Sequence, residues 1–392
     1  MGGRVVMVAY HYPPSGAVAA QRPYQFARHL PEFGWEPVIV ARRPDPLQPR
    51  DPSFEGIPAR VRLNPLEPGR LLGRLPGSWV DPLRRFFFVP DEEVGWMAGL
   101  AASLPGLVAR FRPDVLWANS VPAGSTVAAA LAARRTRTPL VLDFHNEWTR
   151  NMYYAPATAL HDAAHRALER RLVLGAFGVV TLNPLHTEDL RARFPAANVQ
   201  TIENGFDPRD LAVGPRRAGA RLVFVYAGAV YGYQSPAPFL RALAQTGRKD
   251  VEVRIVGDRF GQFEPGRWPF PVSVRGHLPH RELGRVFSEA DAFFLCLEAP
   301  AGRQLPAKVY EYLGAGRPTF AIVPRGGAAE GWIRRTGSGM AVASEDPATW
   351  RPALDEFISG MGRYRPPPAE AFHRRTLAGA LARLLETAKG SP

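Results

Sequence analysis

The segment Leu305–Pro318, with the sequence LPAKVYEYLGAGRP, constrains the fold of this chain more than any other. It reads as a short helix, because Pro306 suits a first turn and the glycines and proline at its end suit a stop. Apolar runs at 292–297 and 319–323 flank the segment, and each is typical of a buried strand. This order of strand, loop, helix and strand predicts a parallel βαβ unit.

Lys308 and Glu311 lie three residues apart, so on a helix they share one face, one turn from each other. A helix start after a parallel strand is a natural anion site, to which Lys308 adds a full positive charge. Glu311 could accept two hydrogen bonds from a vicinal diol such as a ribose. The pair therefore indicates a nucleotide site, although a solvated ion pair on a structural helix has the same spacing.

Length and composition limit the classes of protein to which this chain can belong. A chain of 392 residues with 46 % hydrophobic residues suits two domains, each with its own core. Cys296 is the single cysteine, which excludes a disulfide framework and predicts a reducing, cytoplasmic setting. The N-terminus lacks the pattern of a signal peptide. The net charge of +13 predicts attraction to phosphate-bearing substrates or anionic membranes, and the absence of a polybasic tail argues against nucleic acid.

Apolar β-branched runs alternate with helical segments along the whole chain, which predicts two doubly wound α/β domains. The runs stand at 5–10, 36–41, 114–119, 139–144, 178–183, 221–228, 251–257, 272–278, 292–297 and 319–323. The last segment, 372–387, has leucines on one face and predicts an amphipathic helix.

Two further features suggest functional residues. His145 directly follows the run at 139–144, where a strand end opens onto a ligand site, and we take it as the best active-site candidate among the histidines. A purely structural histidine remains the alternative. The segment Arg84–Phe88 places two arginines beside three phenylalanines, which suits a membrane contact, an acceptor site or a buried strand. Arg22, in the first helix, could face the cleft or cap a surface helix.

Several motifs together resemble the family 4-like glycosyltransferases of GT-B fold. The sequence PAKVYEYLGAGRPT at 306–319 resembles their donor-binding helix, and YHYPPSGA at 10–17 resembles their first loop. IENGFD at 202–207 resembles the element that closes their first domain, and DFHNEW at 143–148 is similar to a family segment at the active site. The resemblance covers nearly the whole chain.

The resemblance implies a fold, a domain organisation and a reaction. Two Rossmann-like domains would face a cleft, with residues 1–206 binding the acceptor and residues 207–371 binding a nucleotide sugar. Residues 372–392 would form a helix that crosses back to the first domain. Enzymes of this family transfer a sugar, with retention of anomeric configuration, from a nucleoside diphosphate sugar to a glycan, lipid-linked or small-molecule acceptor. A role in cell-envelope polysaccharide synthesis follows, at the cytoplasmic face of the membrane.

The resemblance also assigns roles to residues. Lys308 would stabilise the leaving diphosphate and His145 would line the reacting sugar. Arg303 stands where the family has a glutamate that binds the transferred sugar. This chain would therefore either bind the donor sugar through a different contact or lack the contact at this position. No metal and no cofactor is required. The donor-binding residues would be Gly16, Ala17, Gly228, Leu278, Ala307, Lys308 and Glu311.

Two departures keep other functions open. Family members place a basic pair soon after the glycine at 228, whereas this chain has Val230 and Gln234 in that region. A sugar epimerase of the same fold would also cleave a donor at its diphosphate, but without an acceptor. A non-catalytic relative that binds a glycan or a protein partner would account for Arg303 and for the missing basic pair.

Overall fold

The computed structural model divides the chain into two compact units. The first comprises Met1–Glu203 together with Arg374–Pro392, and the second comprises Asn204–His373. The boundary between them follows residue 203, three residues before the boundary after residue 206 that the sequence predicts. The structure describes residues 2–45, 50–51, 56–65, 86, 88–211, 213–214, 219–230, 232–257, 266–276, 278, 280–364 and 368–391, without the side chains of 280 and 281.

The first unit is built on a seven-stranded sheet whose strands are all parallel, in the order β3-β2-β1-β4-β5-β6-β7. The strands are β1 Gly3–Ala9, β2 Trp35–Arg42, β3 Val61–Leu63, β4 Val115–Asn119, β5 Leu140–Phe144, β6 Gly178–Thr181 and β7 Val199–Thr201. The strand order reverses between β1 and β4, so their carboxyl ends mark the place where doubly wound sheets bind ligands.

The second unit is built on a six-stranded parallel sheet in the order β10-β9-β8-β11-β12-β13. Its strands are β8 Leu222–Ala227, β9 Val251–Val256, β10 Val272–Arg275, β11 Ala292–Cys296, β12 Thr319–Val323 and β13 Gly339–Ala343. The βαβ unit predicted around Leu305–Pro318 is confirmed, because β11 pairs in parallel with β12 and a helix lies between them in the chain. In this sheet the order reverses between β8 and β11.

Helices cover both faces of each sheet, so the predicted doubly wound α/β class is confirmed. Those of the first unit are α1 Val18–His29, α2 Val94–Phe111, α3 Ala123–Thr136, α4 Ala159–Gly175 and α5 Pro184–Arg193. Those of the second are α6 Ala237–Gln245, α7 His280–Ser288, α8 Lys308–Gly314, α9 Ala328–Thr336 and α10 Trp350–Gly360, and α11 Arg374–Lys389 returns to the first unit.

The first unit has two hydrophobic cores, and alternate residues of β1 pack into one or the other. Val6 and Val8 pack with the α2 and α3 side, whereas Val5 and Met7 pack with residues of α1 and α11. This alternation is the period of two that a strand buried on both faces must have. The leucines of α11 at 377, 381, 384 and 385 are all buried in the second of these cores. The apolar face of α11 therefore packs on the sheet of the first unit.

Among the described residues, α2 is the one helix that is long and apolar enough to cross a membrane by length and composition, and 28 % of it is buried. It packs against α3, and Trp96 Nε1 of α2 donates a hydrogen bond to Ser125 Oγ of α3. Asp91, just before α2, accepts a 2.7 Å hydrogen bond from the N–H of Gly124 at the start of α3. These contacts hold α2 within the helical layer over the sheet.

Candidate functional site

Lys308 lies at the start of α8, and its ammonium group packs against residues of β8 and the following loop. Nζ stands 3.8 Å from the centroid of the Tyr226 ring, a cation–π distance. Nζ also donates a 3.4 Å hydrogen bond to Oε1 of Gln234. The charge predicted from the helix start is therefore held against a buried aromatic ring, with one long hydrogen bond.

Gly228 follows β8 and is the reason that Lys308 can reach this position. Its φ is +137°, which favours glycine, and a Cβ atom built there would lie 2.8 Å from both Cε and Nζ of Lys308. Gly257 follows β9 in the same way, with φ +141°, and lies against the backbone of Gly228. Two adjacent strands thus end in glycines, of which Gly228 lies against Lys308 and Gly257 lies against the backbone of Gly228.

Burial lowers the pKa of Lys308 from its usual value to about 7, because desolvation disfavours the charged ammonium. Cys296 and Glu311 act in the opposite direction, by smaller amounts. Although the residue as a whole is only half-buried, its Nζ atom is enclosed by Tyr226 and Gly228, so the amine itself is desolvated. A desolvated ammonium is strongly stabilised by a neighbouring anion.

The other residues predicted to bind the donor are distributed over both units. Ala307 immediately precedes α8, and Glu311, one turn after Lys308, is half-buried. Leu278 and Arg303 are also half-buried and lie in the second unit. Gly16 and Ala17 belong to the first unit, where the N–H of Ala17 donates to Ser15 Oγ at 3.3 Å. The structure therefore brings Lys308, Glu311 and Gly228 together, and it places Gly16 and Ala17 in a separate unit.

His145 directly follows β5 in the first unit. Its N–H donates to Ser120 Oγ at 3.1 Å, and its Nδ1 atom is buried with no hydrogen-bond partner among the described residues. The pKa of His145 is lowered to about 3, first by desolvation and then by the positive charges of Arg22 and Arg374 and by His11. At neutral pH the imidazole is therefore uncharged.

Arg22 is fully buried, so it neither lines an open cleft nor caps a surface helix, and both expectations from the sequence are wrong. It lies in α1, and its Nε atom stands 2.9 Å from the carboxylate of Asp143 at the end of β5. Its terminal nitrogens donate to the carbonyls of Ile202 and Glu203 at 2.8 and 3.0 Å. The arginine thus ties α1, β5 and the segment after β7 together close to His145.

Two protein-family models match the sequence of this chain. The glycosyl transferase 4-like domain matches residues 19–205, and a second domain, described as glycosyl transferase-like, matches residues 234–380. The two matches span most of both units. The chain belongs to the family 4-like glycosyltransferases.

Solved structures show the same two-domain GT-B fold as this glycosyltransferase. A sucrose-phosphate synthase from Thermosynechococcus elongatus superposes with a TM-score of 0.68 at 16 % identity, over 98 % of each chain. HepE from Anabaena, in complex with UDP-glucose, has a TM-score of 0.63 at 15 % identity, over 98 % of this chain and 100 % of that one. A UDP-N-acetylglucosamine 2-epimerase from Listeria monocytogenes, described as putative, has a TM-score of 0.59 at 12 % identity, over 98 % and 96 %. No curated protein matches the chain in sequence.

Three residues near Lys308 and Gly228 carry no functional signal in the sequence. Gln234 stands out there only as a departure from a basic pair, yet it hydrogen-bonds Lys308. Tyr226 reads only as part of a strand, yet its ring lies beneath Nζ of Lys308. The N–H of Ala227 donates to the hydroxyl of Tyr312 in α8 at 2.9 Å, which fixes the loop at Gly228 to that helix. Only the glycine that ends β8 signals this close approach.

Two other predictions, on the segment Arg84–Phe88 and on the absence of a metal, can be compared with the structure only in part. Arg84, Arg85 and Phe87 lie outside the described residues, whereas Phe86 is exposed and Phe88 half-buried. Over the part of the chain that the structure describes, no group of three or more His, Cys, Asp or Glu is placed to hold a metal ion. That the glycosyltransferase needs no metal stays a prediction from the sequence.

Proposed function

We propose that the protein transfers a sugar from a nucleoside diphosphate sugar, with retention of anomeric configuration, to a glycan, lipid-linked or small-molecule acceptor. The observation that carries the proposal is the desolvated amine of Lys308, enclosed by Tyr226 and by the glycine at 228. Its pKa near 7 means that a diphosphate would be a favourable partner for the ammonium. HepE, a structural neighbour, is described in complex with UDP-glucose, which is consistent with such a donor.

The proposed role of Lys308 is to stabilise the leaving diphosphate. Negative charge grows on the phosphate oxygen as the bond to the sugar breaks, and a nearby cation is worth more at that stage than in the ground state. Because the free amine has a pKa near 7, a bound diphosphate would raise that pKa and hold the proton on Nζ. The backbone N–H groups of Ala307 and Lys308, at the open end of α8, would add donors.

Glu311 and His145 have separate proposed roles. Glu311 would bind the ribose hydroxyls and so hold the donor in position without changing during the reaction. His145, which is half-buried, would contact the reacting sugar as a neutral imidazole. Arg303, which is half-buried after a short 3-10 turn at Ala299–Ala301, would bind the donor sugar in place of a glutamate.

The acceptor and the location are part of the same proposal. The first unit would bind the acceptor, and the net charge of +13 would favour anionic or lipid-linked acceptors at the cytoplasmic face of a membrane. Synthesis of a cell-envelope polysaccharide is the process that fits these properties.

A donor screen followed by a product assay tests the proposal. Thermal shifts with UDP-, GDP-, ADP- and dTDP-sugars identify the donor, because a ligand that binds only the folded state raises its stability. Incubation of that donor with and without acceptor extracts then separates the functions. Product that depends on the acceptor supports transfer, whereas conversion of the donor alone indicates an epimerase, the activity named for one structural neighbour. Binding without turnover under every condition contradicts an enzymatic function.

A further inference from the structure

The loop after β5, residues 145–151, is hydrogen-bonded to helix α4. Trp148 Nε1 donates to Nδ1 of His165 at 3.1 Å. The next residue, Thr149, donates through Oγ1 to Oε2 of Glu169 at 2.7 Å. His165 and Glu169 both belong to α4, where their spacing of four places them on one face of the helix. One face of α4 therefore holds two consecutive residues of the loop.

Helix α5 extends this network to a third consecutive residue. Arg150 Nε stands 3.3 Å from the carboxylate of Asp189, and Arg193 bonds both Asp189, at 2.8 Å, and Glu169, at 2.6 Å. Glu169 is 1 % exposed and His165 is 8 % exposed, so their bonds to the loop are shielded from water. A buried hydrogen bond of this kind is costly to break, because the groups left behind have no water to bind.

The bond between Trp148 and His165 fixes the protonation state of the histidine. An indole N–H can only donate, so the Nδ1 atom that accepts it must carry a lone pair. His165 is therefore neutral, with its proton on Nε2. A proton added at Nδ1 would set two donors against each other and would break the bond.

The groups around His165 favour its neutral form. Burial lowers the pKa of His165 from the usual 6.5, and His161, one turn earlier, acts in the same direction. Asp162 acts in the opposite direction, but its carboxylate is bonded by Arg166 at 2.8 Å and by the hydroxyl of Tyr154 at 2.9 Å. The Tyr154 ring, 5.5 Å from that of His165, is uncharged. The bond from the indole is thus intact at neutral pH and is lost as the pH falls through the lowered pKa.

We propose that His165 is a positioning residue, which in its neutral form holds the loop at 145–151, and with it His145, in the arrangement that serves sugar transfer. The N–H of His145 is bonded to Ser120 Oγ at 3.1 Å, so the bond at Trp148 fixes the loop at a second point. Displacement of a reacting group by about 1 Å can cost as much as roughly 100-fold in rate. The effect on turnover rests on the proposed function, whereas the hydrogen bond does not.

Nuclear magnetic resonance of the indole N–H groups tests the bond without any substrate. In protein labelled at tryptophan, the Trp148 signal is the one that is lost in Trp148→Phe. It should shift as the pH falls from about 8 to about 4.5, because protonation of His165 removes the acceptor. In His165→Asn, an amide oxygen that does not titrate replaces Nδ1, and the signal should stay constant. The same titration in both proteins, or a constant signal in the parent, would overturn the proposal.

Kinetics separate a positioning role from a structural one. His165→Ala and Trp148→Phe each remove the bond, so each should lower kcat by roughly tenfold and leave nucleotide affinity unchanged. Since both break the same bond, the double variant should lose no more than either alone. His165→Asn should keep kcat within about twofold of the parent at neutral pH and lose less of it in acid. His29→Asn, at a buried histidine whose Nδ1 bonds Glu32 instead, is the matched control and should keep the kcat of the parent.

The outcomes distinguish this role from the proposed function. Additive losses in the double variant, or a kcat in His165→Ala equal to that of the parent, would overturn the positioning role. Absence of turnover in the parent would refute the proposed function and the role together, whereas a constant indole signal would refute the role alone. If His165→Ala does not fold, Trp148→Phe and His165→Asn provide the same comparison.

Discussion

Gly228 and Lys308 are packed so closely that a Cβ atom at position 228 would lie 2.8 Å from Nζ of the lysine. Real Cβ atoms do not approach other atoms to that distance, so any side chain at 228 must displace the lysine. The glycine thereby determines where the positive charge of the proposed donor site stands.

Replacement of Gly228 by alanine should therefore weaken binding of a nucleoside diphosphate by roughly tenfold, because Lys308 can no longer occupy its place. Gly247→Ala is the control, since Gly247 also has a positive φ, +71°, but a Cβ atom there would have no other atom within 4 Å. Both variants should lose about 1 kcal/mol or more of stability through backbone strain. Calorimetric titration checks the difference, and equal nucleotide affinities would separate Gly228 from the site.

Lys308→Ala and Glu311→Gln should affect different kinetic parameters. The lysine acts on the charge that develops in the transition state, so its loss should lower kcat by about 100-fold, or roughly 3 kcal/mol in barrier. The glutamate binds a ribose that does not change, so its loss should mainly raise KM for the donor. Lys249→Ala, at an exposed lysine of the same unit, is the control. Unchanged nucleotide affinity in both variants would make α8 a scaffold only.

Nucleotide binding should be coupled to proton uptake. With a pKa of about 7, most Lys308 side chains are neutral at pH 8 in the free protein, and a bound diphosphate raises the pKa. Binding at pH 8 should therefore take up close to one proton, and affinity should fall as the pH rises above 7. Titrations in two buffers of different ionisation enthalpy measure the uptake. The same value in Lys308→Ala as in the parent would assign the proton to another group.

His145→Ala should leave nucleotide affinity intact and lower turnover by roughly 100-fold, the scale for losing one positioned polar group. His145→Asn, which keeps a hydrogen-bonding group, should retain more turnover than the alanine variant. Because burial lowers the pKa of His145 to about 3, its titration should not appear in the rate between pH 5 and 8. Turnover equal to the parent in His145→Ala would give the residue a structural role.

The buried pair Arg22–Asp143 should be strongly coupled in stability. Loss of one partner leaves the other charge buried without compensation, so Arg22→Ala should destabilise the protein by about 3–5 kcal/mol. A double-mutant cycle with Asp143→Ala should show a coupling of several kcal/mol. The exposed pair Arg351–Asp355, at 3.1 Å, is the control and should show about 0.5 kcal/mol or less. Similar coupling in both pairs would contradict the importance of burial.

Local signals explain why the βαβ unit around α8 is predictable. The apolar runs of β11 and β12, the proline at 306 and the glycine and proline that follow the helix all act within a few residues. The spacing of Lys308 and Glu311 depends only on the pitch of a helix. The same reasoning predicts the amphipathic face of α11, where every stated leucine is buried.

Contacts between distant segments are not predictable in this way. Gln234 and Lys308 are 74 residues apart, and in the sequence the glutamine indicates only the absence of a basic residue. Arg22 and Asp143 are 121 residues apart, and the position of the arginine in the first helix predicts a surface or a cleft.

The amino-acid sequence by itself determined the two doubly wound units, the family and the helix that bears Lys308, since periodicity, turn residues and helix spacing are properties of neighbouring residues. The tertiary structure alone decided that Tyr226 and Gln234 surround the amine and that Arg22 is buried on Asp143. The physical reason is that parallel strands join residues that are far apart in the chain. Desolvation, and with it the pKa of Lys308, depends on those distant neighbours.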